Sequence, residues 1–545
     1  MARIAVVDRQ PQRSGAGRGR GLILFALCLA AYIISVDVTI VNVTLPTIVR
    51  KLSATTTDLQ WVVDAYNLVF AALVLAAGSL GDRIGRKRTL LAGLGVFAAA
   101  SLAGSLSQSA HQLIAARAVM GLGAALIFPA TLSLLANVFT ERKERARAIG
   151  FWGATTGLGV ATGPIVGGWL LEHYWWGSVF LFLVPVAGLV AALIAWAVPP
   201  SRDPATPPLD WRGFLLSATG MAVLVLGVIE APDWGWGSAR TLSALAGGLA
   251  LLAAFVVAER RIAQPMLDVD LFRNLRFTAA SGSVTIAFFA LQGFVFLITQ
   301  YFQFVKGYSP LGTGVRLLPV AISLAAGSVL GTRLAVRFGN KAIVGAGLLL
   351  FSAGLLWSAS GSSTTSYTTI AAQMLALGTG MGLTSAPATE AIMGVVSKEK
   401  AGVGSAVNDA TRLFGGTLGV AVIGSVSASL YTSRLGSTLP SGLSPAAVAA
   451  ARGSIGGALV AAHNIAQAGL ALPAQRLSDA ATNAFLHSLA GGCLVAGAVA
   501  AGGAVLALAL LPSRPGVAGA APQAAPLQLA AEPVELLEEL DRAAS

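Results

Sequence analysis

Six charged residues interrupt long apolar stretches of this chain, and their types suggest proton chemistry. They are Asp37, Asp64, Arg117, Glu390, Asp409 and Arg412. Burying a charge inside a membrane span is costly, so such residues usually serve a function. A buried carboxylate beside a movable arginine can have its pKa driven up or down as its access to water changes. Coupling to a proton gradient requires that behaviour.

The first three of these charges are expected at a similar depth. Asp37 lies about nine residues before Pro46, about 14 Å from the outer end of its span, and Arg117 lies about 8 Å from the same face at 1.5 Å per residue. Asp64 sits at a similar depth. For Asp37 and Arg117 the alternative is a purely structural ion pair, and for Asp64 it is an exposed position near the interface.

The other three charges lie in the second part of the chain. Asp409 and Arg412 are three residues apart, so they can pair on one helix face. A structural pair is the favoured interpretation, with a proton or substrate role as the alternative. Glu390 lies near the inner end of its apolar block. Glu230 and Glu259 sit at block ends, where we expect them to face the membrane interface.

The elements that position these charges follow from composition. Of the 545 residues, 55% are hydrophobic and 11% charged, with a mean hydropathy of +0.75. A soluble domain carries about 25% charged residues. We therefore predict an all-α polytopic membrane protein with fourteen transmembrane helices. The apolar blocks lie near residues 21–46, 58–80, 89–106, 112–138, 148–171, 178–198, 212–230, 241–258, 278–304, 313–336, 342–360, 368–394, 402–430 and 486–511.

The blocks divide the chain into five predicted parts. These are a cytoplasmic N-tail (1–20), a six-helix half (21–198), two linking helices with inner loops (199–276), a second six-helix half (277–511) with a large external loop (431–485), and a cytoplasmic, disordered tail (512–545).

The net charge of +12 is explained by this topology. Of the 36 Lys and Arg residues, 26 fall on predicted cytoplasmic segments and 7 on outer loops. The asymmetry places both termini in the cytoplasm of a plasma-membrane protein and leaves no case for nucleic acid. Cys28 and Cys493 lie inside apolar blocks, the four His are scattered without metal-ligand spacing, and no phosphate-binding G-x-x-x-x-G-K-[ST] motif occurs. We expect no disulfide, metal or cofactor.

A loop between the second and third blocks carries a distinctive set of glycines and charges, namely Gly78, Gly81, Asp82, Arg83, Gly85 and Arg86. The glycines allow a tight turn. We expect Asp82 to bridge to arginines of neighbouring inner loops and so act as a conformational gate. A simple topology-setting loop is the alternative. Residues 333–341 weakly repeat residues 79–87, which suggests duplicated halves.

A second glycine-rich set lies in the fifth block, comprising Gly150, Gly159, Gly163, Pro164, Gly167 and Gly168. Gly159, Gly163 and Gly167 are four residues apart, which predicts a flat groove for a neighbouring helix. Pro164 removes a backbone hydrogen bond and allows a bend.

Together these segments resemble the major facilitator superfamily and, within it, the 14-span drug:proton antiporters of the EmrB/QacA type. The resemblance covers roughly residues 20–430. Its motifs are the 78–88 loop, Asp37–Pro46, Arg117–Ala124, Gly163–Gly168, Pro265–Asp268 with Leu271–Asn274, and Gln303–Pro310. The chain departs from the family pattern at Met120, Leu183 and Val336, where Gln, Asn and Asp are usual.

The resemblance implies a major facilitator fold in which the fifth-span motif seals the cavity and limits proton leak. It also implies a monomeric exporter in the lipid bilayer that moves amphipathic small molecules by alternating access, driven by protons. The alternatives are a dedicated exporter of one self-made metabolite, an importer, or a membrane-embedded enzyme. The enzyme would need a polar active-site cluster, and the sequence contains no obvious one.

Overall fold

The computed structural model describes residues 16–201, 210–262, 267–396 and 401–512, and within these ranges it contains helices and no strand. The N-tail up to residue 15, the tail from residue 513, Pro265, Met266, Lys398 and Lys400 lie outside the described residues. The first ten helices are α1 Ala16–Leu52, α2 Thr56–Ile84, α3 Arg86–Ser105, α4 Ala110–Val138, α5 Arg142–His173, α6 Ser178–Leu181, α7 Leu183–Ala197, α8 Trp211–Ile229, α9 Ala231–Trp234 and α10 Ala239–Glu259.

A 3-10 helix at Val269–Arg273 precedes the remaining helices, and a π-helix at Tyr301–Val305 follows α11. The helices are α11 Leu275–Gln300, α12 Pro310–Arg316, α13 Leu318–Phe338, α14 Asn340–Ser358, α15 Tyr367–Met393, α16 Ala401–Thr438, α17 Pro445–Gly453, α18 Ile455–Gln467 and α19 Ala471–Leu510.

Eleven helical segments in the described ranges are long and apolar enough to cross a membrane. A twelfth is formed if the two pieces of α2, bent by 55° between Val74 and Ala76, count as one span. Helices α5 and α15 coincide with the predicted fifth and twelfth blocks and have 32 and 27 residues, but they are less apolar. In α5 the cause is its seven glycines, which contribute little hydrophobicity. The chain is therefore an all-helical, multi-pass membrane protein with about eleven to twelve apolar helices.

The two halves of the chain pack in the same pattern. In the first half α1 packs on α5, α2 on α4, and α3 on both α4 and α7. In the second half α11 packs on α16, α13 on α15, and α14 on both α15 and α19. Each helix of the first half thus has a counterpart with equivalent neighbours, as expected for a duplicated transporter fold.

The weak sequence repeat occupies equivalent turns. Gly85 joins α2 to α3 with φ at +113°, and Gly339 joins α13 to α14 with φ at +84°. Both values lie in the region that favours glycine, because a Cβ there meets the backbone. The turn therefore explains why glycine is shared by the two segments, although Asp82 is replaced by an exposed Val336.

The two halves are hydrogen-bonded at one end of the bundle. We call the end where α1 meets α2 (residues 50–56) the hairpin end and the end that holds residues 78–88 the loop end. Among the described residues, every hydrogen bond between the halves lies in the hairpin-end part of the bundle. These bonds join Arg50 to Gln303, Thr56 to Gly453, Gln60 to Val420, Ala421 and Ser425, Gln303 to Val43, Leu311 to Glu172, and Ser454 to Ala54.

The predicted external loop 431–485 is largely helical. α16 continues to Thr438, α17 and α18 follow, and α19 already begins at Ala471. Ser444 and Ser454 accept hydrogen bonds from the first turns of α17 and α18, which explains why these helices begin there. The segment packs over the α1–α2 connection and leaves a cavity of about 600 Å³ between them.

The linking helices α8 to α10 cover the line where α2 meets α16. Trp61 donates to Glu230 at 2.9 Å, Thr57 to Asp233 at 3.0 Å, and Trp236 to Ser429 at 3.0 Å. Glu230 is thus tied to α2. Glu259 ends α10, and its buried side chain accepts the backbone N–H of Leu267, so it is covered by protein at the end of that helix.

The glycines of α5 differ in what surrounds them. A Cβ built on Gly159 would lie 2.8 Å from the Cβ of Ser35, one on Gly163 would lie 2.9 Å from the Val36 carbonyl oxygen, and one on Gly167 would collide with Ile40. All three glycines therefore face α1, and there the backbones of the two helices are in van der Waals contact. Gly150 and Gly157 face open space.

This difference predicts the effect of the smallest possible substitution. Gly163→Ala should lower the free energy of unfolding by about 1–3 kcal/mol through overpacking against α1. Gly157→Ala should leave it equal or raise it by up to about 1 kcal/mol, since alanine favours helix. Thermal unfolding of the purified protein in detergent measures both. Equal melting temperatures for the two variants would contradict the close α1–α5 contact.

Candidate functional site

The buried charges of the first half are held by α1, α2 and α4. Gly121 permits the contact, because a Cβ built there would lie 2.5 Å from the carbonyl oxygen of Tyr66 on α2. Arg117 sits one turn before Gly121 on the same helix. Close packing of α4 on α2 therefore carries the Arg117 guanidinium into the interior, between α2 and α1.

Arg117 and Asp37 form a buried ion pair. Nη1 of Arg117 lies 2.9 Å from Oδ1 and 2.8 Å from Oδ2 of Asp37, and the side chains are 1% and 0% exposed. Their predicted similar depth thus corresponds to direct contact. A pair excluded from water has strong Coulombic attraction, and removing one partner strands the other charge.

Two groups of α2 complete the surroundings of Arg117. Its Nε donates to the Val62 carbonyl oxygen at 3.1 Å, and its guanidinium carbon lies 4.2 Å from the centre of the Tyr66 ring. The Tyr66 hydroxyl makes no hydrogen bond to another described residue. Three helices thus converge on one cation, so movement of any of them changes the environment of Asp37.

Asp64 is buried, and an exposed position near the interface is therefore wrong for it. Its side chain is 0% exposed, and among the described residues neither carboxylate oxygen has a hydrogen-bond partner. Gln60, one helical turn away, is equally buried, and its Oε1 also lacks a donor. An ionised carboxylate in such a place costs several kcal/mol, whereas one proton would supply the missing donor.

The structure does not pair Asp409 with Arg412. The Arg412 Nη2 donates to Oγ1 of Thr389 on α15 at 3.0 Å, and its guanidinium carbon lies 5.5 Å from the ring centre of Phe288 on α11. No Asp409–Arg412 ion pair within 4.0 Å occurs in the described part of the chain. Side chains from two other helices therefore draw Arg412 away from its neighbour.

Glu390 stands apart from the buried charges. It is exposed near the end of α15, while its neighbour Thr389 contacts Arg412 and Asn408. The structure thus brings together Asp37 and Arg117 in the first half and buries Asp64 separately on α2. Among the described residues, the charged side chains of the second half form no ion pair.

The Asp82 carboxylate of the gate loop is paired within the loop. Asp82 accepts from Nε of Arg86 at 2.6 Å, across the Gly85 turn, and both side chains are partly exposed. The expected bridge to another inner loop is not formed, because Arg86 lies one turn away on α3 and reaches Asp82 first. Arg83 is exposed. The loop contacts a neighbouring segment through its backbone instead, as the Arg86 N–H donates to the Ser201 carbonyl at 2.9 Å.

The fifth-helix motif contacts both halves. Whereas Gly159, Gly163 and Gly167 face α1, a Cβ on Gly168 would lie 2.5 Å from the Cα of Leu311 on α12. A Cβ on Gly314 would in turn collide with the carbonyl oxygen of Pro164. Helix α12 of the second half therefore lies directly on the Pro164–Gly168 stretch, at the hairpin end.

Sequence reasoning missed two buried glutamines. Gln60 and Gln303 each donate a side-chain amide to a backbone carbonyl of the opposite half. A signal for Gln60 was available, since it lies four residues, about one helical turn, before Asp64 and so on the same face of α2. Within the described ranges, no group of three or more His, Cys, Asp or Glu side chains is placed to hold a metal ion.

Comparison with known proteins identifies the family. The Major Facilitator Superfamily model matches residues 27–420. The "Multidrug efflux pump LfrA" of Mycolicibacterium smegmatis is 36% identical over 473 residues, which cover 87% of this chain and 92% of that protein. The "Methylenomycin A resistance protein" of Streptomyces coelicolor is 36% identical over 406 residues, covering 74% and 85%.

A solved structure supports the same fold. A bacterial homologue of the human lysosomal transporter Spinster, crystallised in an inward-facing and unoccupied conformation, superposes with a TM-score of 0.65 at 18% identity. The similarity covers 92% of this chain and all of that one. With duplicated six-helix halves, a motif-bearing loop after the second helix and relatives of this identity, the chain belongs to the major facilitator superfamily.

Proposed function

We propose that the protein is a proton-coupled exporter that moves amphipathic drugs across the plasma membrane by alternating access. The observation that carries the proton coupling is Asp64, a carboxylate buried inside the bundle on α2 whose oxygens have no hydrogen-bond partner among the described residues. The resistance and efflux relatives support the drug export. Their family supports a transporter rather than an enzyme.

Asp64 is the better proton carrier of the two first-half carboxylates. Asp37 already has a counter-ion, so its ionised form is compensated in this state. Asp64 has no such counter-ion, so the free-energy difference between its ionised and protonated forms is larger than that of Asp37. We assign Asp37 and Arg117 the role of holding α1, α2 and α4 together, and we assign Asp409, Arg412 and Glu390 no part in the proton exchange.

The direction of opening follows from the inter-half contacts. Because Lys and Arg are concentrated at the loop end, we place this end in the cytoplasm with both termini, and the hairpin end outside. Hydrogen bonds join the halves in the hairpin-end part, so this state is closed to the outside. The Pro164–Gly168 contact with α12 is part of that closure and limits proton leak.

We further propose fourteen spans of the EmrB/QacA type. Helices α5 and α15 are each longer than the roughly 20 residues needed to cross a bilayer. Their lower hydropathy is compatible with spanning because one face of each helix packs closely against other helices, α5 on α1 and α12, and α15 on α13 and α14. Helices α8 and α10 are the two additional central spans. The protein works as a monomer without a cofactor.

A dedicated exporter of one metabolite is the second candidate, because the relative from Streptomyces coelicolor is named for resistance to a single antibiotic. Growth inhibition of an expressing strain by cationic, neutral and anionic compounds separates the two. Protection against several chemically unrelated compounds supports the broad exporter. Protection against one class alone supports the dedicated exporter.

Asparagine substitutions test the assignment of roles. Asp64→Asn should remove uncoupler-sensitive ethidium efflux while leaving the melting temperature within a few degrees, since it mimics the protonated side chain. Asp37→Asn should cost about 3–5 kcal/mol of stability, because it strands the buried Arg117. Asp479→Asn, at an exposed position near the start of α19, is the matched control and should change neither quantity. Wild-type efflux by the Asp64→Asn variant contradicts the assignment.

Cysteine labelling tests the topology. In a background without Cys28 and Cys493, single cysteines at Lys143 and Val396 should react with an impermeant maleimide only in inside-out vesicles. Single cysteines at Tyr174 and Thr364 should react only from the outside of intact cells. Labelling of both ends of α5, or of α15, from one side would show that this helix does not span.

A further inference from the structure

Two buried glutamines bind across the boundary between the halves. Nε2 of Gln60 on α2 lies 2.9 Å from the carbonyl oxygen of Ala421 and 3.1 Å from Oγ of Ser425, both on α16. Nε2 of Gln303 lies 2.8 Å from the carbonyl oxygen of Val43 on α1. The side chains are 0% and 5% exposed. Each half therefore contributes one amide donor to the other.

The local backbone is shaped to receive these amides. A Cβ built on Gly424 would lie 2.6 Å from Nε2 of Gln60, so only glycine leaves room for the side chain on α16. Gln303 lies in the π-helix Tyr301–Val305. A π-helix inserts an extra residue into a helical turn and often marks a functional position. Gly424 and the π-helix thus each accommodate one glutamine contact between the halves.

The remaining inter-half hydrogen bonds lie elsewhere. Those of Thr56 and Glu172 are at helix ends, and those of Ser454 and Gly453 belong to the segment that follows α16. The Arg50 contact to Gln303 is long, at 3.4 Å. The glutamine amides are therefore the side-chain donors that cross between the halves within the spans of the described chain.

We propose that Gln60 and Gln303 form a paired latch that holds the hairpin end closed and that both amides must release before this end opens. The inference rests on the alternating access proposed above. Neutral amides suit such a latch, because an amide exchanges a protein carbonyl for water at small net cost. An ion pair in the same place would be harder to break in the low-dielectric interior.

The test measures the distance between the halves at the hairpin end. Spin labels at Lys51→Cys on α1 and Thr364→Cys in the α14–α15 loop, in the background without native cysteines, report it by double electron–electron resonance. Both positions are exposed. Gln60→Met and Gln303→Met keep the side-chain length and remove the donor. Each should raise the ratio of long-distance to short-distance populations about five-fold, and the double variant by about 25-fold.

The matched control is Gln373→Met. Gln373 is buried to the same degree, but its Nε2 donates to the Trp357 carbonyl within the second half, at 3.1 Å. Its substitution should leave the distances unchanged. An unchanged distribution in the double variant, or an equal shift in the Gln373→Met variant, overturns the latch.

A second perturbation covers the case in which a glutamine variant does not fold. Gly424→Ala places a methyl group where the Gln60 amide now lies, and it should also favour the long distance. An unchanged distance distribution in that variant overturns the part assigned to Gln60. The distances are measured without substrate or gradient. Failure of proton-driven ethidium efflux would therefore leave the latch standing, and failure of the latch would leave proton coupling standing.

Discussion

The arrangement of the first half depends on one constraint, that a guanidinium inside an apolar bundle must have a counter-ion. Arg117 meets it with Asp37 at 2.8–2.9 Å, with the Val62 carbonyl and with the Tyr66 ring. Because these partners lie on α1 and α2 while Arg117 lies on α4, the three helices are held in one register. Asp64 on α2 is buried as well but takes no part in the pair.

Contacts at glycines connect these three helices to α5 and to the second half. α5 lies on α1 through three glycines four residues apart, and on α12 of the second half through Gly168. The helix that touches the ion-paired α1 is thus also the helix that touches the opposite half. A shift of α2 on proton uptake by Asp64 would pass through Arg117 and Asp37 to α1, and from α1 through α5 to the boundary between the halves. This physical connection links proton binding to opening in the proposed mechanism.

The sequence predicted features that depend on one helix or one turn. The similar depth of Asp37 and Arg117 and the four-residue spacing of the α5 glycines follow from helical periodicity alone. The hydrogen-bond partners of charged side chains could not be predicted from periodicity, because they depend on distances between helices in the folded protein. Arg412 bonds Thr389 on another helix rather than its neighbour Asp409, and Asp82 finds Arg86 rather than another loop. In the 431–485 segment the Ala-, Gly- and Ser-rich composition predicted one short helix at most, whereas the structure has α17, α18 and the start of α19 there.

The central claim is that Asp64 carries the exchanged proton while Asp37 stays paired with Arg117. Proton release on substrate binding tests it most directly, measured with a pH-indicating dye as ethidium is added to the purified protein in weakly buffered detergent. The account predicts release of about one proton per bound ethidium by the wild-type protein, since Asp64 is the one carboxylate to which the exchange is assigned, and none by the Asp64→Asn variant. Undiminished release by an Asp64→Asn variant that still binds ethidium would contradict it.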